Sequence, residues 1–551
     1  MIRPRETYRD IRRYTQVVRV LGRHGFKDLL DRLRARYKVT KQTSASKGLS
    51  TAERLRLAFE ELGPTFIKLA QVLSSRPDMF PPEFIKELSK LQDQVPPFPF
   101  ENVRQILEFE LGQPPTEVFA AIEEDSIAAA SLAQVHRART KDGREIAIKI
   151  QRPGIPEIIE TDIRILHEFA GLAERHIPES RYFEPVRFVE EFARTIRREM
   201  DFVREAHNIE RFHSLFQDNT YIHIPKVHWE LTTSKVLTTE FVNGIKISDI
   251  DKLDAAGLNR KVIAANGANL TLKEVFEFHF FHADPHPGNI FVLDNNVIAP
   301  VDFGMTGIIS EDVADHMSAI FVSIVDKDIS TLVAELRKIG IVEDLDNSKD
   351  FKADVRDLVE RYYGVPLKRL QMGPVLKEVM SIIRQYKIHL PADFAMIART
   401  LLISEGVGRT LDPDFNLIDT ARPYARRLML RRFNPVKRMR DLSRAANDMF
   451  AFIRSLPVDM QAILSMILNG KLAIRFEHKG LNNLIDELDR SSNRISFALV
   501  IAALIVGSSL IFQTGIGPTL FGYPIVGLVG FLLASILGIW LLIAIMRSGR
   551  L

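Results

Sequence analysis

The chain has 551 residues, of which 46% are hydrophobic and 26% are charged, so it is long enough for two or more domains with buried cores. It contains no cysteine, which excludes disulfides and thiolate metal sites. The formal net charge of +4 is small for this length and argues against a general nucleic-acid-binding protein, so no nucleic acid is expected among the partners.

The N-terminal part is basic and predicted to be helical. In residues 1–41 arginine and lysine greatly outnumber acidic residues, and apolar residues recur between them at roughly helical spacing. Two interpretations stay open: a basic amphipathic segment lying on an anionic membrane surface, or two ordinary surface helices with solvated arginines. We predict a basic segment over residues 1–45, with residues 41–50 typical of a linker, and a helical extension over residues 46–115.

Within that extension, Lys68 and Gln71 lie one helical turn apart and share a face. An alanine-rich stretch then stands where a protein kinase carries G-x-G-x-x-G. Glycine lets backbone N–H groups approach phosphates and alanine does so poorly, so this loop should bind a triphosphate differently. The predicted nucleotide-binding residues of the loop are Ile127, Ala128, Ala129, Ala130, Ser131, Leu132, Ala133, Gln134 and Val135.

A β-branched strand over Ile146–Lys149 has the form of the kinase V-A-I-K motif, which predicts that Lys149 pairs with the nucleotide phosphates. That lysine requires a carboxylate from a facing helix. A charged helical run over residues 188–212 offers Glu205, which we prefer, with Glu199 and Asp201 as alternatives.

The segment 236–244 is then predicted to form the hinge between two lobes. Its residues Glu240 and Val242 are predicted to lie at the adenine edge.

The sequence HADPHPGN at residues 282–289, followed by Asp-Phe-Gly at 302–304, has the spacing of a kinase catalytic loop and metal-binding segment. Two apolar runs joined by Asp294-Asn295-Asn296 predict a β-hairpin between the two motifs. Asp284 is predicted to orient or deprotonate an attacking hydroxyl or water. Asn289 and Asp302 are predicted to bind Mg²⁺ at the phosphates of ATP or ADP.

No A-P-E motif follows, and a helix N-cap with first-turn acids begins at Ser310. The chain therefore lacks the usual platform for a peptide substrate, which favours a small molecule, a lipid or water as acceptor. Helical periodicity continues to about residue 490. Residues 398–413 are predicted to form a buried helix that ends in a glycine-rich turn, with Glu405 and Arg409 as a structural ion pair.

From Ile495 to Met546 the sequence has no charged side chain. Two apolar runs, about 495–512 and 524–546, are each about long enough to cross a hydrocarbon core of ~30 Å. Arginines at positions 494, 547 and 550 flank them and predict that both ends lie on the cytoplasmic side. The alternative is a buried hydrophobic hairpin in a soluble domain.

With these motifs the chain resembles the UbiB family of atypical kinase-like proteins, also called the AarF-domain kinase family. The resemblance covers roughly residues 62–413 and rests on GPTFIKLAQVLSSRPDMFP, IAAASLAQVHRA, Glu199-x-Asp201, HADPHPGN and EGVGRTLDP. It implies an α+β, atypical bilobal protein-kinase-like fold with a helical N-terminal extension and a C-terminal two-helix transmembrane hairpin. We place the N-lobe at 116–242, the C-lobe at 243–430, further helices at 431–493 and the hairpin at 494–551.

The resemblance also implies roles for the N-terminal motif. The family's Lys-x-Gly-Gln corresponds to Lys68-Leu69-Ala70-Gln71, with Ala70 in place of glycine. In the family this helix folds over the active site, which makes Lys68 and Gln71 candidate catalytic residues beside Lys149 and Asp284. Lys68 would meet Glu199 and Asp201, leaving Glu205 for Lys149.

Finally, the resemblance implies an ATPase or a small-molecule or lipid kinase that supports isoprenoid quinone synthesis, chiefly of ubiquinone. The expected location is the cell inner membrane, multi-pass, with a cytoplasmic catalytic body. The expected partners are membrane lipids, quinone-precursor lipids and enzymes of quinone biosynthesis. A Ser/Thr protein kinase and a nucleotide-binding pseudokinase scaffold remain the alternatives.

Overall fold

The structure is a computed structural model that divides into two compact units, Met1–Lys437 and Arg438–Leu551. It describes residues 4–32, 48–74, 80–91, 95–178, 180, 184–326, 349–362, 372–386, 392–417, 481–515, 518–520 and 523–547, with isolated positions in 330–338 and 420–468. Most of the predicted linker, most of the segment 431–480 and the arginine at position 550 lie outside the described residues.

The first unit begins with helices that pack on one another and on the following lobe. They are α1 (Pro4–Arg23), α2 (Lys27–Arg32), α3 (Thr51–Leu62), α4 (Pro64–Ser74), α5 (Pro82–Leu88), α6 (Phe100–Leu111) and α7 (Pro115–Val118). A capping box closes the start of α3: Ser50 accepts from the Glu53 N–H, and the Glu53 side chain accepts from the Ser50 N–H. Gly63 caps the end of α3 with a φ of 91°, which suits glycine, and α4 starts at the next residue.

Two helices, α1 and α2, form the described part of the basic N-terminus, as one of the two interpretations expected, with Arg12 and Arg19 exposed. Tyr14, Val17, Val18 and Val20 are buried, and α1 packs against α3 and the later helix α8 (Ile155–His176). Protein therefore covers the apolar face that one interpretation assigned to lipid. Arg13, in contrast, is not a solvated arginine, because its side chain reaches a fully buried carboxylate on α8.

The next layer is an antiparallel sheet in the order β1-β3-β4-β5, with β2 paired to β3. The strands are β1 (Phe119–Ile122), β2 (Ala128–Ala129), β3 (Ala133–Thr140), β4 (Glu145–Gln151) and β5 (Val236–Glu240). Alternation along β4 buries Ile146, Ile148 and Ile150 on one face and leaves Lys149 on the other. Lys149 lies opposite Val135 of β3 and Leu237 of β5.

The charged run predicted over residues 188–212 is two helices, not one. Helix α9 (Pro185–Glu199) ends before Asp201, whose backbone is extended at φ −96° and ψ 97°, and α10 (Phe202–Phe216) begins after it. Phe202, Ala206, Ile209 and Phe212 of α10 are buried in the core shared with the second lobe. Packing of this apolar face decides the direction of α10 and turns Glu205 inward.

The second lobe is mainly helical around two small antiparallel sheets, β6-β8-β9 and β7-β10. Its helices are α11 (Ile250–Ala255), α12 (Arg260–Lys273), α13 (Glu311–Asp326), α14 (Lys349–Tyr362), α15 (Met372–Gln385) and α16 (Ala392–Leu411). Its strands are β6 (Ile245–Lys246), β7 (Phe280–His282), β8 (Ile290–Leu293), β9 (Val297–Pro300) and β10 (Thr306–Ile308). The predicted hairpin is confirmed as β8–β9, with Asn295 and Asn296 at positive φ in its turn.

The predicted glycine-rich turn after residue 405 is wrong, because α16 continues to Leu411 and contains both glycines. Phe415 folds back onto α16, so a Cβ on Gly408 would lie 2.4 Å from its ring. Gly408 therefore serves close packing rather than a turn. Glu405 lies on α16 and is buried, and its pairing with Arg409 stays a prediction.

The second unit contains helices α17 (Leu481–Thr514) and α18 (Ile525–Arg547), with the short strands β11 (Thr519–Leu520) and β12 (Tyr523–Pro524) between them. The segments Ser491–Thr514 and Ile525–Leu542 are long and apolar enough to cross a membrane. The helices approach closely at Ser508, since a Cβ on Gly530 would lie 2.2 Å from the Ser508 Oγ.

Candidate active site

The two predicted metal-binding residues are neighbours in the structure. Asn289 ends a 3₁₀ turn directly before β8, and Asp302 follows β9, so the hairpin brings them together. The Asn289 Nδ2 donates to the Asp302 Oδ2 at 3.1 Å, and the Gly304 N–H donates to the Asp302 Oδ1 at 3.2 Å. An amide oxygen and a carboxylate are hard ligands of the kind that suit Mg²⁺.

Across the described residues, no group of three or more His, Asp or Glu side chains is arranged to hold a metal ion. Mg²⁺ commonly takes one or two protein carboxylates together with substrate phosphates and water. Asn289 and Asp302 therefore fit the small set of protein ligands that Mg²⁺ takes when it is bound together with a nucleotide.

Lys149 lies between two carboxylates from distant parts of the chain. Its Nζ donates to both oxygens of Glu205 at 2.8 Å and lies 3.4 Å from the Asp302 Oδ1. Burial disfavours the charged ammonium, but Asp302 and Glu205 outweigh that effect and raise the pKa of Lys149 above its ordinary value. The two carboxylates therefore stabilise the charged form of Lys149.

The two carboxylates differ in their surroundings. Burial raises the pKa of Glu205 to about 7, with Lys149 acting in the opposite direction. Burial also acts to raise the pKa of Asp302, but Lys149 and His282 outweigh it and lower that pKa. Asp302, with 44% of its side chain exposed, is thus the ionised and more accessible carboxylate, while Glu205 supports Lys149 from inside.

The alanine-rich loop forms a hairpin in which two of its backbone N–H groups are bonded internally. Ala128 and Ala129 of β2 pair with Val135 and Gln134 of β3. The Ala130 N–H donates to the Ala133 carbonyl at 2.7 Å, and the Ile127 N–H donates to the Val135 carbonyl at 2.8 Å. These two N–H groups are already bonded within the hairpin, and how the loop binds phosphates stays a prediction.

The predicted hinge residues follow directly from the strand beside Lys149. Glu240 ends β5, and its carboxylate accepts from the Lys226 N–H at 3.2 Å and lies 3.1 Å from the His223 Nε2. Val242 lies between β5 of the first lobe and β6 of the second. The structure places both residues at the connection between lobes, and their contact with adenine stays a prediction.

Helix α4 brings Lys68 and Gln71 over the catalytic loop. Lys68 forms an ion pair with Glu199 at the end of α9, and both Lys68 and Gln71 line a small cleft together with Asp284. Ala70, which replaces the family's glycine, is fully buried in the helical core. Asp201, the other expected partner of Lys68, is the N-cap of α10.

Two site residues that the sequence analysis missed lie next to each other on α16. The Arg399 Nη2 donates to the Asp284 Oδ1 at 3.0 Å, and the buried Thr400 hydroxyl donates to the His282 carbonyl at 3.3 Å. The sequence carried one signal. Ala283 replaces the arginine of the kinase H-R-D, so a cation beside Asp284 has to come from another element.

Three domain families match successive parts of the chain. The ABC1 atypical kinase-like domain matches residues 90–336, the UbiB helical domain matches 355–416, and the ABC1/UbiB kinase-like C-terminal domain matches 479–547.

Two curated relatives cover most of this chain. An "Uncharacterized protein in hydrogenase 1 5'region" of Clostridium pasteurianum is 33% identical over 552 residues, covering 98% of this chain and 100% of the relative. A "Probable protein kinase UbiB" of Marinobacter nauticus is 34% identical over 391 residues, covering 70% of this chain and 72% of the relative.

A solved structure, the complex of Rv3197 with erythromycin from Mycobacterium tuberculosis, is 24% identical with a TM-score of 0.48. The match covers 67% of this chain and 94% of that chain.

Proposed function

The chain belongs to the UbiB family of atypical kinase-like proteins, and we propose on that basis that it is a membrane-anchored, Mg²⁺-dependent ATP-binding enzyme. It hydrolyses ATP, or phosphorylates a small lipid-like acceptor, in support of isoprenoid quinone biosynthesis, chiefly of ubiquinone. ADP is the alternative nucleotide.

One observation carries the proposal: a lysine, two carboxylates and an amide from four separate elements come together in one cluster. Lys149 on β4, Glu205 on α10, Asn289 before β8 and Asp302 after β9 are linked by contacts of 2.8 to 3.4 Å. Phosphoryl transfer depends mainly on positioning and charge stabilisation, which this constellation supplies. A structural ion pair alone would not need Asn289 beside Asp302.

Each residue then has a defined task. Asn289 and Asp302 would hold Mg²⁺, which when bound neutralises charge that develops on the phosphates. Lys149 orients the phosphates, and Glu205 holds Lys149 in place. Asp284 positions the attacking oxygen through the carboxylate oxygen that Arg399 leaves available.

Two features favour a small acceptor or water over a protein substrate. Helix α4 covers the catalytic loop with Lys68 and Gln71, where a peptide would otherwise enter. The segment after Gly304 is short, since β10 pairs back to β7 and α13 begins at Glu311. Little chain remains there to form a peptide platform.

The apolar helices support attachment to a membrane, where quinone precursors reside. The segments Ser491–Thr514 and Ile525–Leu542 have the length and composition to span it. Arginines at both outer ends, Arg494 and Arg547, favour a cytoplasmic catalytic body at the inner membrane. Membrane lipids, quinone-precursor lipids and quinone-pathway enzymes are the partners that this location offers.

A second candidate is a protein kinase, which the name of the Marinobacter nauticus relative, "Probable protein kinase UbiB", favours. A third is a pseudokinase scaffold that binds nucleotide without turnover. The following experiment separates the three.

The full chain is purified in nanodiscs, and ATP-dependent phosphate release is measured with and without anionic lipid and a phenolic lipid mimic. Lys149→Ala and Asp302→Asn should abolish release, because the first removes the phosphate-orienting charge and the second a metal ligand. Lys252→Ala and Asp251→Asn, both exposed on α11, serve as matched controls and should retain it.

Lipid-stimulated release that both site variants lose supports the proposal. Phosphorylation of added protein, abolished by the same variants, supports the protein kinase. Nucleotide binding without release or transfer, measured with a fluorescent ATP analogue, supports the scaffold and refutes the enzymatic proposal.

A further inference from the structure

A buried glutamate lies directly behind the catalytic loop. Glu274 begins the π-helical turn Glu274–Phe278, which joins α12 to β7, and its residue surface is only 2% exposed. The turn ends at His279, a non-glycine residue with a φ of 52°. Single π-helical turns and left-handed non-glycine residues both occur preferentially at functional sites, because their energetic cost requires compensation.

The Glu274 side chain makes a hydrogen bond to the catalytic loop. Its Oε2 accepts from the His282 N–H at 3.1 Å, and no other side-chain hydrogen bond or ion pair reaches it among the described residues. Burial raises the pKa of Glu274 to about 8, with the His282 N–H acting in the opposite direction. A carboxylate without a nearby cation is costly to bury, so the group is held as a neutral acid.

The acid also borders a small cavity of about 30 Å³ between α12, α16 and the β8–β9 hairpin. Most of its lining is apolar, and Glu274 and His282 are its titratable residues in the described part of the chain. The lining hydroxyls of Thr271 and Ser404 bond to each other at 3.2 Å. No lysine or arginine lines the cavity in the described part of the chain, so the polar contact of the Glu274 side chain is the hydrogen bond from the His282 N–H.

His282 in turn contacts Asp284, the residue proposed to position the attacking oxygen. The His282 Nδ1 accepts from the Asp284 N–H at 3.1 Å, so the imidazole is tied to the backbone of Asp284. The buried Thr400 hydroxyl holds the His282 carbonyl from the opposite side. Glu274, His282 and Asp284 thus form one hydrogen-bonded series, while Arg399 holds the Asp284 carboxylate.

We propose that Glu274 is a positioning residue of the active site: its side chain fixes the His282 backbone and, through the imidazole, the backbone of Asp284. This inference rests on the proposed function for its kinetic consequence, but its structural part can be measured without turnover. Fixing the Asp284 main chain matters because a displacement of ~1 Å at a positioning residue costs up to about 10²-fold in rate.

Three variants test the proposal in full-length protein in nanodiscs. Glu274→Gln keeps the size and the acceptor oxygen, Glu274→Leu removes the acceptor, and Glu274→Asp keeps the acid but withdraws it from the His282 N–H by one methylene. Glu277→Gln, in the same π-helical turn and paired with Arg427 outside the cavity, is the matched control.

Two readouts are compared: amide hydrogen exchange of residues 280–289, and the kcat and KM of ATP-dependent phosphate release. Glu274→Gln and the control should match the wild type in both. Glu274→Leu should increase exchange at His282 and Asp284 and lower kcat by about tenfold or more, with KM within about twofold, because nucleotide binding lies elsewhere. Glu274→Asp should show the same changes to a smaller extent.

The inference is overturned if Glu274→Leu leaves exchange at His282 and Asp284 unchanged. It is equally overturned if Glu274→Gln loses as much protection from amide exchange as Glu274→Leu and Glu274→Asp do. An increase in KM of Glu274→Leu at constant kcat would overturn it as well. Should Glu274→Leu fail to fold, Glu274→Asp decides. A wild type that releases no phosphate refutes the proposed function, and the exchange data then test the positioning role independently.

Discussion

Substitution of Arg13 by Gln tests how the N-terminal helix stabilises the helix that covers the active site. The Arg13 Nε and Nη2 donate to the two carboxylate oxygens of Asp162 at 2.7 and 2.9 Å, and the Nη2 also donates to the Leu62 carbonyl at 2.7 Å. The Asp162 side chain has no exposed surface, whereas Arg13 retains 17%. Leu62 ends α3, directly before the helix that carries Lys68.

The expected cost follows from this burial. Removing one partner of a buried ion pair leaves an uncompensated charge and costs about 3–5 kcal/mol. Since Arg13 is partly exposed, we expect the lower end, about 3 kcal/mol, including the loss of the bond to the Leu62 carbonyl. Asp162→Asn should cost less, because an unpaired Arg13 can turn towards water, and the double variant should recover part of the loss.

The assay is denaturant unfolding of the full chain in micelles, followed by tryptophan fluorescence. The chain has two tryptophans, and Trp540 lies on α18, so Trp540→Phe leaves Trp229 to report on the first unit. Arg13→Gln should lower the unfolding midpoint at constant m-value and increase amide exchange in α3 and α4. Arg12→Gln, on the exposed face of the same helix, is the control.

A change in unfolding free energy below about 0.5 kcal/mol for Arg13→Gln, the range of ordinary surface substitutions, would refute this reasoning. Additive effects of the Arg13 and Asp162 substitutions would refute it as well, because they would show that the two side chains are not coupled.

Three further predictions concern the catalytic loop and α16. Arg399→Gln should lower kcat for phosphate release by about tenfold with KM nearly unchanged, because it releases the catalytic carboxylate without touching the nucleotide residues, and Arg399→Lys should restore part of the activity. The pKa of Glu274 rises from 4.5 to about 8 on folding, so the native state binds more protons than the unfolded state in that window. Stability should therefore fall as pH rises through it, by at most ~1.4 kcal/mol per pH unit, and comparison of unfolding midpoints with Glu274→Gln isolates this loss. Gly408→Ala should destabilise the protein by about 1–3 kcal/mol through overlap with a phenyl ring 2.4 Å away, whereas Gly406→Ala, with open space around it, should stabilise α16 by about 0.5–1 kcal/mol in the same assay.

Each of these has a contrary result. An Arg399→Gln variant with unchanged kcat would remove that residue from the site. Identical pH profiles of unfolding for wild type and Glu274→Gln would show that Glu274 is not buried as an acid. Equal effects of alanine at Gly406 and Gly408 would show that the phenyl ring does not occupy the position assigned to it.

Several features of the site were accessible from the sequence because they are local. The spacing of Asp284, Asn289 and Asp302 spans one hairpin, and the turn residues between them predict that hairpin directly. The alternation of Ile146, Ile148 and Ile150 places Lys149 on the opposite face of its strand. Such patterns depend on neighbours within a few residues, so no knowledge of the packed molecule is required.

Other features required the packed molecule. Arg399 meets Asp284 across 115 residues of sequence, and Arg13 meets Asp162 across 149. Side chains on separate helices meet only after apolar faces have packed, and no local period encodes that arrangement. The same holds for Glu274, whose significance depends on a cavity wall and a backbone N–H of another element.

The amphipathic N-terminal helix shows the difference between what the sequence determines and what the tertiary structure decides. By itself the sequence determined that one face of residues 4–23 is apolar and must be covered, because exposing such a face to water is unfavourable. Only the tertiary structure decided that protein covers it, since helices α3 and α8 satisfy an apolar face as well as lipid does. Hydrophobic burial is non-directional, so periodicity reveals which residues are buried, whereas the partner is selected by shape and by specific polar contacts such as that of Arg13 with Asp162.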